Sequence, residues 1–227
     1  MKTKIKMPAN LRAFSKIALL LSVLLTAGSA YADSLPVNVV VDVTPEGQAA
    51  TRPTPATPVY YFPFTVGYQE QGGGWTPESM PSTLEIQRMI AKALAAQGYL
   101  VMNSKQAGLL LTFRWGRMAP FADDGNLADP EVDMATLVGG FKQGTDISAL
   151  GTRHADFEFA ASVPRYFVTI EAYDFSAAKE KNKVPLWSAR FSTQAAGTTL
   201  ERALPMLIAA GAPYLGRDVR PRKIIAQ

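Results

Sequence analysis

The chain has 227 residues, 48% of them hydrophobic, with 23 basic and 19 acidic side chains, one histidine and no cysteine. Without cysteine there is no disulfide framework, no thiol nucleophile and no cysteine-ligated zinc or iron–sulfur centre. Five basic residues and no acidic ones precede Asp33, so the remainder carries a net charge of −1 and lacks the basic excess with which nucleic-acid binders neutralise phosphates.

The first segment has its own logic. Lys2, Lys4, Lys6, Arg12 and Lys16 precede an apolar run from Ile17 to Ala27, and the small-residue stretch Gly28-Ser29-Ala30-Tyr31-Ala32 follows. Basic, apolar, then A-x-A is the order of a secretory signal peptide, here cut after Ala32. The apolar run falls far short of the roughly 20 residues of a spanning helix, so no membrane span is expected. No cysteine follows to carry a lipid, and the expected product is soluble and periplasmic. Residues 33–227 are long enough to bury one core.

In chain order, "PVNVVVDV" (36–43) is rich in β-branched residues and reads as a strand. "TPEGQAATRPTPATP" (44–58) reads as an extended loop. "VYYFPF" (59–64) is a second strand, with Pro63 marking an edge position or a bulge. "QGGGW" (71–75) is a glycine loop ending in Trp75. It lacks the Gly-Lys-Ser/Thr ending of a phosphate-binding loop. "STLEIQRMIAKALAAQG" (82–98) predicts a helix. Ser82 and Glu85 have capping-box spacing, Ile86, Met89, Ile90, Ala93 and Leu94 form one apolar stripe, and Gly98 stands at the stop.

"YLVM" (99–102) and "LLLTFRWGRM" (109–118) are the next strands, and 119–163 reads as a loop-rich insertion in which Asp129-Pro130 could open a short helix. "YFVTIEAYDFSAAKEKNKVPLWSARFST" (166–193) alternates apolar and polar residues on both sides of a charged tip. It predicts a hairpin of half-buried strands with Val168, Ile170, Ala172, Trp187, Ala189 and Phe191 facing the core. A last helix is expected over 198–213, with Thr198 and Glu201 as a capping box and Pro205 kinking or restarting it. The basic tail after Gly216 reads as a solvated terminus. The expected fold is α+β: a largely antiparallel sheet with two helices on one face and the insertion within a single domain.

"IQRMIAKALAAQGYLVMNSKQAGLLLTF" (86–113) and the pairing of "IEAYDF" with "LWSARF" resemble the bacterial family called domain of unknown function 4136. The resemblance implies an exported envelope protein of α+β fold without an assigned activity, and it transfers no catalytic residue. Gly108 stands where that family usually has aspartate, and the lipidated cysteine of many members is missing.

Candidate chemistry is sparse. His154 is the lone histidine, and no Gly-x-Ser-x-Gly elbow accompanies it. A single histidine without a cluster makes no metal site. Asp123, Asp124, Glu131 and Asp133 supply carboxylates for a hydrolase acting on envelope glycans, the alternative reading. "DDGNLADPEVD" lacks EF-hand spacing. The reading favoured by the sequence is a non-catalytic binding or envelope-assembly module without cofactor or metal. It would act through exposed edges and the 65–81 and 119–163 loops, with Trp75, Phe121, Asp123 and Asp124 as candidate contacts. Its partner would be an envelope protein or a small ligand, and a carrier of an apolar ligand would need a cavity.

Overall fold

The structure, a computed structural model of the chain, describes residues 35–119, 136–139, 162–179 and 184–226. The elements in order are β1 (Pro36–Val43), α1 (Pro45–Ala49), β2 (Val59–Gln71), α2 (Thr83–Ala96), β3 (Tyr99–Val101), β4 (Leu109–Met118), β5 (Arg165–Asp174), β6 (Trp187–Gln194), α3 (Leu200–Gly211) and β7 (Val219–Ala226). The strands form one mixed sheet in the order β3-β2-β4-β5-β6-β1-β7. The β2–β3 and β2–β4 pairs are parallel, and the other four pairs are antiparallel. Parallel neighbours need a crossover, and α2 supplies it between β2 and β3. The fold is α+β, as expected.

Alternation along the strands builds the core. Val37, Val39 and Val41 of β1, Leu111, Phe113 and Trp115 of β4, Val168, Ile170 and Ala172 of β5, and Trp187, Ala189 and Phe191 of β6 share one inner face. The same cluster takes in Ile86, Ile90 and Leu94 of α2 and Leu200, Leu204 and Leu207 of α3. The hairpin is therefore present with the predicted residues on the core face, and its register sets Ile170 opposite Ala189 and Ala172 opposite Trp187.

The capping box of α2 is formed in full. Ser82 Oγ accepts from the Glu85 amide, and the Glu85 carboxylate accepts from the Ser82 amide at 2.8 Å. Gly98 follows at φ +89°, the left-handed position that ends the helix without a Cβ penalty.

Several expectations change. Residues 44–58 are not loop throughout. Thr44 caps α1 by accepting from the Gly47 amide at 3.1 Å, with Pro45 in the first turn and Glu46 beside it, a helix-start signature hidden in a proline-rich stretch. β2 continues to Gln71 through a register shift between Thr65 and Gly67. Pro63 lies beyond the three residues that β3 covers, so its missing N–H falls on the open side of the strand.

The cap of α3 is Thr199, which accepts from the Arg202 amide, rather than Thr198 paired with Glu201. Thr198 is held in the preceding turn by its own amide bond to Ala195. The helix is continuous through the exposed Pro205. The basic tail is not a free terminus: β7 pairs antiparallel with β1 and closes that side of the sheet. The Asp129-Pro130 helix lies outside the described residues.

The outer face of the hairpin departs furthest from expectation. Thr169, Glu171, Tyr173, Ser188, Arg190 and Ser192, the residues alternating with the core positions, are all buried. These strands are covered on both faces, so their polar residues are interior.

Candidate functional site

Three places on the sheet gather chemistry-bearing side chains. The first lies on the inner face where β2 and β4 end. Trp75, on the segment after β2, stacks on Tyr166 with ring centroids 6.0 Å apart, and the Arg117 guanidinium lies 4.9 Å from its ring centre. Its indole N–H donates to the Gln71 carbonyl at 3.3 Å. Glu78, on the same segment, accepts from Arg117 Nη1 at 3.1 Å, from the Tyr166 hydroxyl at 3.0 Å and from the Leu200 amide at 3.0 Å. Leu200 opens α3, where the helix dipole favours an anion. Glu70 takes the other side of Arg117 through Nε at 2.8 Å.

Burial opposes the charge of Arg117, but the bonds to Glu70 and Glu78 outweigh it and hold the guanidinium above its ordinary range. Burial, and then the bond to Glu78, push Tyr166 up to about 12. Each donor and acceptor here is turned towards another part of the same chain. The arrangement clamps the 72–82 segment to the sheet and to α3.

The second place is the outer face of the central strands. Glu171 accepts from the Tyr173 hydroxyl at 2.8 Å and from Thr112 at 3.3 Å, and pairs with Arg114 at 3.5 Å. Arg190 pairs with Asp42. Burial, followed by the Glu171 charge, drives the Tyr173 phenol well above its ordinary value. The polar alternates of a hairpin read in sequence as solvent-facing, so this row escaped the sequence reading. Its signal was two opposite charges, Glu171 and Arg190, among the polar alternates of the two strands.

The third place is the same outer face at the starts of β2, β3 and β4. Tyr60 lies opposite Leu100, and Phe62 opposite Leu110, by strand register. Tyr60, Phe62 and Phe64 alternate with the buried Tyr61 and share the outer face. Phe64 is 54% exposed, Tyr60 39% and Leu100 37%. Phe62 meets Phe175 edge-on at 6.0 Å. Here the sheet presents a continuous apolar surface.

Of the predicted contact residues, Trp75 is half-buried in the first place. Phe121, Asp123 and Asp124 lie outside the described residues, as do Glu131, Asp133 and His154. Among the described residues, no three His, Asp or Glu side chains gather as metal ligands, and no helix is long and apolar enough to cross a membrane.

No family model matches the chain, and no curated protein matches it. Solved structures similar to it include two of the PelC dodecamer from Paraburkholderia phytofirmans. One, a single-residue variant, is 16% identical over 80% of this chain and 98% of that chain, with a TM-score of 0.38. The other is 15% identical over 81% of this chain and 99% of that chain, with a TM-score of 0.37.

Proposed function

We propose that this is an exported, periplasmic, non-catalytic module that docks an envelope protein on the apolar outer face at the starts of β2, β3 and β4. Two helices pack on the inner face, and the outer face at the starts of these strands carries exposed apolar residues. The observation that carries the reading is the exposed, register-aligned row of Tyr60, Leu100 and Phe64 flanked by Phe62 and Leu110. Aromatic and aliphatic side chains contiguous on a sheet face are costly to leave in water and are the usual mark of a protein contact. The signal-peptide pattern and the resemblance to domain of unknown function 4136 support the envelope setting.

The flat face is favoured over the strand edge. Past β3, the open side of β2 carries Pro63 and the register shift at Thr65–Gly67, and both features discourage strand addition.

Photo-crosslinking in the intact periplasm, with the reactive group at position 64 and a control at Ala209 on the exposed side of α3, tests the proposal. A discrete adduct at 64 and none at 209 is expected, and Phe64→Asp should abolish capture by a reactive group at Tyr60. Because Phe64 is exposed, that substitution should change stability by no more than about 0.5 kcal/mol. Absence of any adduct from an abundant, folded protein rejects the reading.

A further inference from the structure

At the end of the sheet where β2, β3, β4 and β6 begin, a cleft of about 240 Å³ lies between α1 with its following loop and the strand ends. Its walls are apolar: Val59, Leu109, Leu186 and the rings of Tyr99 and Trp187, which meet edge-on at 5.7 Å. The backbones of Gly47, Gly108 and Gly216 complete it. Arg52 is its charged lining residue, and no carboxylate lines it among the described residues. The charges of Arg52 and of Arg217, which follows Gly216, both act on the Tyr99 hydroxyl. Neither guanidinium has an ion-pair partner among the described residues. Burial pushes the Tyr99 phenol up to about 12, so it keeps its proton.

We infer that this cleft binds a small carboxylate whose apolar body lies against Tyr99 and Trp187 and whose charged head faces Arg52 and Arg217. Size sets the body. A cavity of about 150 Å³ admits benzene, whereas drug-sized ligands take about 300 Å³ or more. The cleft therefore suits one ring or a short acyl chain, with the carboxylate at the mouth. Charge sets the head. Two exposed guanidiniums beside an apolar slot attract an anion, and a planar carboxylate matches their fork of donors. The site is separate from the outer-face contact and stands whether or not that contact does.

The test uses the full folded chain and two probes, phenylacetate and hexanoate, followed by NMR of backbone amides and tryptophan indoles. Saturable shifts at the Trp187 indole and at the Gly47 and Gly216 amides are expected. The stronger of the two acids tells whether the body is a ring or an acyl chain. Phenethyl alcohol, the uncharged counterpart, should bind about tenfold or more weakly. Arg52→Gln should remove about tenfold of the acid's affinity and leave the alcohol's unchanged. Gly108 lines the cleft and a Cβ built there meets nothing nearer than 4.0 Å, so Gly108→Leu adds bulk at the cleft without a backbone clash and should weaken both acids.

No saturable shift at those three groups with either acid overturns the site. Equal affinity for alcohol and acid overturns the carboxylate assignment. Undiminished binding to a folded Gly108→Leu protein overturns the placement.

Discussion

At Glu78 a single carboxylate accepts from a strand guanidinium, a strand phenol and the first amide of α3. Removing it leaves the charge of Arg117 with Glu70 as its remaining carboxylate partner, in a pocket where the Arg117 side chain is 10% exposed. Stranding one member of such a pair costs several kcal/mol when fully buried and less at partial burial. Glu78→Ala should therefore lower unfolding free energy by about 2–4 kcal/mol, read from the urea midpoint at an unchanged slope.

The tyrosines make a second prediction at this scale. Tyr61, Tyr68, Tyr99 and Tyr166 are all raised to about 12, first of all by burial. An unfolded phenol ionises near pH 10. Below about pH 10 both states keep the proton and stability is untouched. As pH climbs from about 10 towards 12, only the unfolded chain gains by ionising, so stability falls. The denaturant midpoint should stay level up to about pH 9.5 and then drop. The near-ultraviolet tyrosinate signal of these groups should appear together with unfolding.

At the scale of elements, α2 and α3 are specified by different means. α2 rests on local signals, and losing its cap through Ser82→Ala should cost about 1 kcal/mol in thermal or urea unfolding. α3 keeps Pro205 at an exposed interior position, where proline cannot donate to the preceding turn. Pro205→Ala should stabilise the protein by about 1–3 kcal/mol, because alanine restores the amide and disturbs no packed contact. The helix persists around Pro205 because Leu204, Leu207 and Ile208 are buried against the sheet.

Across the whole molecule, β1 lies between β6 and β7 and is paired along both sides. Deleting residues 217–227 turns it into an edge and exposes core contacts of Val219 and Ile225. A loss of about 3 kcal/mol and concentration-dependent aggregation on warming should follow, measured by calorimetry and light scattering.

The sequence by itself determined the elements whose signals are local: the Ser82–Glu85 box, the apolar stripe of α2, the stop at Gly98, and the period-two inner face that put Trp187 in the core. Tertiary structure alone decided the rest. Polar alternates in β5 and β6 look solvent-facing although the fold buries them, and Trp75 looks free until Tyr166 and Arg117, distant in sequence, close around it. The tail after Gly216 looks like charged coil, since its strand forms only where β1 offers an unpaired edge. Capping and periodicity act over a few residues and are written in the chain, whereas burial and pairing depend on which distant residues arrive. The cleft beside Tyr99 belongs to the second kind: its walls come from residues between Gly47 and Gly216.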